Sequence, residues 1–97
     1  MKYTLITTRD YDRWLSTLKN PIAKAALVSR SRRMENGNFG DSHSIREGVS
    51  EMRINTGPGY RVYYTIRNLQ VVFLLCGGDK STQKKDIERA IALAKEI

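Results

Sequence analysis

Three basic residues, Arg53, Arg61 and Lys80, fall where strand-like runs put side chains on one face. Residues 49–55 alternate, with Met52 and Ile54 on one side and Glu51, Arg53 and Asn55 on the other. Residues 60–67 alternate more sharply: Tyr60, Val62, Tyr64 and Ile66 share one face, Arg61, Tyr63 and Thr65 the other. The reversal Thr56-Gly57-Pro58-Gly59 joins the two runs, so Arg53 and Arg61 project together. Lys80 leaves the neighbouring run. Three converging cations suit a phosphate, because the guanidinium fork matches phosphate oxygens and keeps its charge at any physiological pH. The same arginines read equally well as exposed strand residues paired with Glu51 or Glu47.

Other chemistries fare worse. One cysteine and one histidine, with no paired spacing, leave no basis for a metal centre and imply no cofactor. Cys76 sits in the most apolar run of the chain, which favours a structural thiol over a nucleophile partnered by a histidine. The stretch Gly77-Gly78-Asp79-Lys80-Ser81-Thr82 lacks the glycine spacing of a nucleotide-binding loop. Its glycines still lead into a helix start, where free amides beside Lys80 can hold one phosphate of a polymer.

These residues need a scaffold, and the patterning supplies one. Tyr3 to Thr7 reads as a short strand, and Thr8 or Asp10 can cap a helix directly after it. Tyr11, Trp14, Leu15 and Leu18 form one helical stripe, which makes Trp14 a core residue rather than a base-stacking platform. Asn20-Pro21 starts a second helix running to about Asn36, with Gly37 as its stop. Ala23, Ala26, Leu27 and Met34 can face inward, while Lys24, Arg30, Arg32 and Arg33 form either a solvated face or one that binds phosphate or a partner. Ser42 to Arg46 reads as an edge strand carrying His43, and Val71 to Cys76 as a central strand. A last helix buries Ile87, Ala90, Ile91 and Ala94 and turns Lys84, Lys85, Arg89 and Lys95 outward. The order β-α-α-β-β-β-β-α predicts an α+β fold, with a helical hairpin on one face of an antiparallel sheet and the other face partly open.

A chain of 97 residues is expected to form a single domain over 1–97. The net charge of +7 points to an acidic partner, such as nucleic acid or an acidic protein. A lone cysteine gives no intramolecular disulfide, so nothing argues for secretion. The N-terminal stretch carries no signal-like apolar core, and no apolar run approaches the ~18 residues of a membrane span. The expectation is a cytoplasmic protein without membrane contact.

Specific motifs add to this. They are W-L-x-x-L-K (Trp14 to Lys19), A-K-A (Ala23 to Ala25), E-N-G-N-F-G-D (Glu35 to Asp41), G-V-S-E-M-R-I (Gly48 to Ile54), G-P-G-Y-R-V-Y-Y (Gly57 to Tyr64) and L-L-C-G-G-D-K-S-T-Q-x-x-D-I (Leu74 to Ile87). With them the sequence resembles the RelE/ParE/HigB superfamily of toxin–antitoxin toxins, most closely the phage-derived HigB-like addiction module killer proteins. The resemblance implies a RelE-like fold and a toxin held inactive by a cognate antitoxin from the adjacent frame. It also implies ribosome-dependent mRNA cleavage by internal transesterification, with ribosome and mRNA as partners. Carried over by motif, Arg61 is the transition-state arginine, Arg53 a basic partner on the preceding strand and Lys80 the basic residue after the strand's glycines. His43 stands where many members have lysine, and becomes a candidate proton carrier. The segment Ser81 to Ile97 lacks the catalytic tyrosine of some RelE members. Tyr63 would stack on a base, and Arg30, Arg33, Lys84 and Lys85 would grip RNA. Two other readings stay open: a ParE-like DNA gyrase inhibitor without nuclease activity, and a nucleic-acid-binding repressor component.

Overall fold

A computed structural model describes residues 2–97. Among the described residues the order is β1 (Thr4–Thr7), α1 (Arg9–Thr17), α2 (Pro21–Glu35), β2 (Ser42–Arg46), β3 (Val49–Ile54), β4 (Tyr60–Arg67), β5 (Val71–Asp79), a 3₁₀ turn (Lys80–Thr82) and α3 (Gln83–Lys95). The expected α+β order is therefore present. β5 runs through both glycines, further than its apolar stretch suggests.

Local chemistry sets the helix starts. Thr8 caps α1 by accepting from the Tyr11 amide, and Asn20 caps α2 by accepting from Ile22 and Ala23, with Pro21 in the first turn. Gly37 ends α2 at φ 85°, its amide donating to Met34. The β4–β5 hairpin turns through Asn68 and Leu69, both in the left-handed region at φ 53° and 63°. That is the geometry whose twist matches paired strands, here without glycine.

The five strands form one sheet in the order β1-β5-β4-β3-β2. β2, β3, β4 and β5 make an antiparallel meander, and β1 adds to β5 in parallel, Thr4 facing Val71. The register shifts on β5 between Tyr63↔Cys76 and Tyr64↔Leu74, which leaves Leu75 as an extra residue. This bulge turns the consecutive Leu75 and Cys76 to one face, while Leu74 stays on the other.

Two cores result. α1 and α2 cover one face over Tyr11, Leu27, Met34, Met52, Val62 and Leu74. α3 covers the other over Val49, Tyr63, Leu75, Cys76, Ala90 and Ile91. Trp14 packs into the first core against Tyr11 and Tyr60, as its stripe predicts. α3 covers much of the second face and leaves it open toward the β2–β3 edge, at His43 and Arg53. Leu93 and Ala94 are buried with Ala90 and Ile91, so α3 lies down on the sheet along a wide apolar face. Polar ties fix it: Arg89 grips Asp10 of α1 with two bonds (2.8 and 3.1 Å), and Arg67 donates to the Ala94 carbonyl (2.8 Å).

Gly77 lets α1 approach β5. A Cβ there would overlap the Trp14 ring. Gly77→Ala is expected to lower stability by about 1–3 kcal/mol through overpacking. Urea unfolding checks this, and Trp14→Leu in the same background should recover part of the loss.

Candidate phosphate-binding site

The site is built on the α3 face of the sheet, near the β3–β4 turn. Register places side chains in transverse rows. His43, Glu51, Tyr63 and Cys76 form one row across β2, β3, β4 and β5. Arg53, Arg61 and Gly78 form the next, with the Arg53 amide donating to the Asp41 carbonyl at its β2 side. The alternation that put Arg53 and Arg61 on one face is borne out as geometry. They are directly opposed across β3 and β4.

Two like charges in that position repel. Glu51, one row back, offsets them. Its Oε1 accepts from Arg53 Nε and from Arg61 Nη1, both at 2.8 Å, and its Oε2 accepts from Gln83 Nε2 at 2.8 Å. Glu51 is fully buried. Burial pushes its carboxyl up, but the bonds from Arg53 and Gln83 and the charge of Arg61 outweigh that and leave it below its ordinary value. One carboxylate against two guanidiniums leaves a net positive charge for a ligand.

The two arginines differ in reach. The Arg53 side chain is 43% exposed and that of Arg61 only 11%. Arg61 therefore does not stand on an open surface. It lies against the buried Glu51, and its Nε is buried without a partner. Lys80 is exposed just past β5, two residues beyond the Gly78 that pairs with Arg61. It lines a small recess of about 280 Å³ with Pro58, Asp79 and Ser81. Asp79 caps this turn by accepting from the Ser81 hydroxyl and the Ser81 amide, which together hold its carboxyl below the usual range.

His43 shares the row of Glu51 on the edge strand, and its ring stays half exposed. Nε2 lies 3.0 Å from Asp41 Oδ1, a carboxylate partner that orients the ring. Tyr63 does not stack on a base. It is wholly buried under α3, its hydroxyl has no partner, and burial, with Glu51 and Asp86 adding to it, raises the phenol above its ordinary value. Cys76 is likewise inert: burial pushes its thiol up to about 12.

Of the expected RNA-gripping residues, Lys84, Lys85 and Arg33 are exposed. Lys84 and Lys85 come directly after the Gln83 that reaches Glu51. Arg30 differs, because its Nη1 donates to the Arg53 backbone carbonyl at 2.9 Å and its head lies against Gly40. Arg30 thus braces β3, and only part of it faces solvent.

Sequence patterning offered Glu51 as a partner for the two arginines, but not its full burial, and it missed Gln83. Glu51 stands two residues before Arg53, so period-2 alternation alone puts them side by side. Nothing local marks Gln83, whose contact spans 32 residues.

A small α+β fold, with a helical hairpin on one face of the sheet and the last helix closing the other, is the RelE architecture. The structure superposes on the toxin–antitoxin complex RelBE2 from Mycobacterium tuberculosis with a TM-score of 0.68, at 24% identity, covering 82% of this chain and 100% of the other. It superposes on a mutant of the E. coli toxin RelE in the free state with a TM-score of 0.70, at 15% identity, covering 92% and 98%. The chain belongs to the family described as Phage derived protein Gp49-like (DUF891), whose model matches residues 13–97. An uncharacterized protein from Haemophilus influenzae strain Rd is 52% identical over 97 residues, covering 100% of this chain and 98% of its own. The family is thus a phage-derived one, as the resemblance implied, and the fold is RelE-like. No helix among the described residues is long and apolar enough to cross a membrane.

Proposed function

We propose that this protein is the toxin of a type II toxin–antitoxin pair and acts as a ribosome-dependent mRNA endonuclease. The observation that carries this is the opposed pair Arg53–Arg61, held by one buried carboxylate with a surplus positive charge. The RelE fold and the family agree with it, since one superposed structure is a toxin–antitoxin complex and the other a free toxin.

In the proposed reaction the ribose 2′-oxygen attacks the adjacent phosphorus, and the bond from phosphorus to the 5′-oxygen breaks. The 2′-hydroxyl proton leaves to a base, and the 5′-oxygen gains a proton as it departs. Charge grows on the phosphorane oxygens, and fixed cations lower its energy. Arg53, the more exposed, meets the phosphate first. Arg61 acts from behind it, and Lys80 closes the turn side. His43, oriented by Asp41, is the candidate proton carrier. The cognate partner is an antitoxin, and the +7 charge favours one with acidic residues.

Expression in a bacterial host and primer extension on cellular mRNAs test the reading. Codon-phased 5′ ends within minutes are expected. Intact mRNA together with accumulating gyrase–DNA cleavage complexes would overturn it in favour of a ParE-like gyrase poison.

A further inference from the structure

On the other side of β3 from Glu51 lies a second basic recess, of about 310 Å³, between α2 and the β3–β4 turn. Ser29, Arg30 and Arg33 line it from α2, Asn55 and Thr56 from the turn, with Ile54 beneath. Its lining contains no carboxylate. Arg30 and Arg33 stand three residues apart on one helix face, where like charges repel. Neither forms an ion pair among the described residues.

The charge of Arg30 is also immobile. Its Nη1 is spent on the Arg53 carbonyl, its Nη2 is buried without a partner, and a Cβ on Gly40 would stand 2.6 Å from that nitrogen. A fixed, uncompensated cation therefore sits in the wall of an open recess. Around it are one mobile guanidinium, two hydroxyls and one side-chain amide. Donors spread over two elements suit the four oxygens of a tetrahedral oxyanion better than the two of a planar carboxylate.

We propose that this recess is a phosphate subsite, separate from the Arg53–Arg61 site, that takes a second backbone phosphate of the bound RNA. The identity of the polymer rests on the nuclease reading above; the anion site does not. β3 connects the two places, since Arg30 is bonded to the residue whose side chain serves the first site. A strand of RNA wrapping the β3–β4 turn would be held at both ends of that turn.

Amide resonances of the full chain, titrated with inorganic phosphate and then with a short single-stranded RNA, test this. Phosphate is expected to shift Ser29, Asn55 and Thr56. Arg33→Ala should remove these shifts, and Arg33→Lys should restore part of them. Arg33→Ala should also weaken the RNA about tenfold and reduce the salt slope by about 0.7, the value for one single-strand phosphate contact. Thr56→Val gives a second variant that keeps all charges and should weaken both phosphate and RNA, with the salt slope unchanged. Shifts confined to Arg53, Arg61 and Lys80 with both ligands would overturn the subsite and leave the nuclease reading standing. Phosphate shifts in the recess without RNA binding would uphold the anion site and remove the RNA. No shift in the recess with either ligand overturns the subsite outright.

Discussion

Glu51→Ala is expected to lower stability by about 3–5 kcal/mol, because it leaves a buried guanidinium without its counter-charge. That is a large share of the roughly 5–15 kcal/mol that holds a typical domain together. Glu51 is fully buried and accepts three hydrogen bonds from three elements of the structure. Its removal sets Arg61 directly against Arg53 and frees the start of α3. Urea unfolding should show a lower midpoint with an unchanged slope. The pH dependence supplies an independent check. The folded-state carboxyl lies below its ordinary value of 4.5. Its stabilising contribution is therefore present above about 4.5 and fades as the pH falls through the folded value. Glu51→Gln keeps the size and lacks this charge, so the two stability profiles should converge in acid. A Glu51→Ala protein with the parental midpoint would show that the triad is not formed.

Arg61→Ala is expected to reduce mRNA cleavage on the order of 10³-fold or more, the scale for removing a guanidinium from a phosphoryl-transfer transition state. Sequence phase alone suggests that this substitution leaves the fold untouched. The structure says otherwise, since Arg61 is nearly buried and bonded to Glu51. A loss of about 2 kcal/mol is expected, with Arg53 and Gln83 still satisfying the carboxylate. Arg53→Ala separates the two effects, because Arg53 is half exposed and its loss should cut activity with little change in midpoint. Arg61→Lys keeps the charge and loses the fork, and should recover stability better than cleavage. A folded Arg61→Ala protein that still cleaves at the parental rate would remove Arg61 from the site.

The strands and their phase were readable from residue order. Tyr60 to Arg67 alternates as written, the helix caps Thr8 and Asn20 behave as their side chains dictate, and Arg53 and Arg61 share a face. The misreadings share one cause. Period-2 patterning gives the side of the sheet but not what lies on it. The sequence of α3 shows an inward stripe, yet how far it closes over Tyr63 and Arg61 depends on tertiary docking. The β5 bulge is equally silent, because Leu74, Leu75 and Cys76 are all apolar and any register among them looks acceptable. Arg30 was legible as a cation and not as a brace, since its partner is a backbone carbonyl 23 residues away.

The pairing of β1 with β5 has a kinetic consequence. Thr8, just after β1, donates to Leu75, 67 residues further on. Arg89 reaches back 79 residues to Asp10. Contacts this distant must close long loops before any stabilisation is returned, and folding slows accordingly. The first strand waits for the fifth before it has a neighbour. The sheet is completed only once β5 has emerged from the ribosome, and the helix that closes it only once residues 83–95 have followed. A nascent chain halted before Gln83 lacks the lid over Tyr63 and the third bond to Glu51, so the arginine pair assembles after its own strands have been made and not with them.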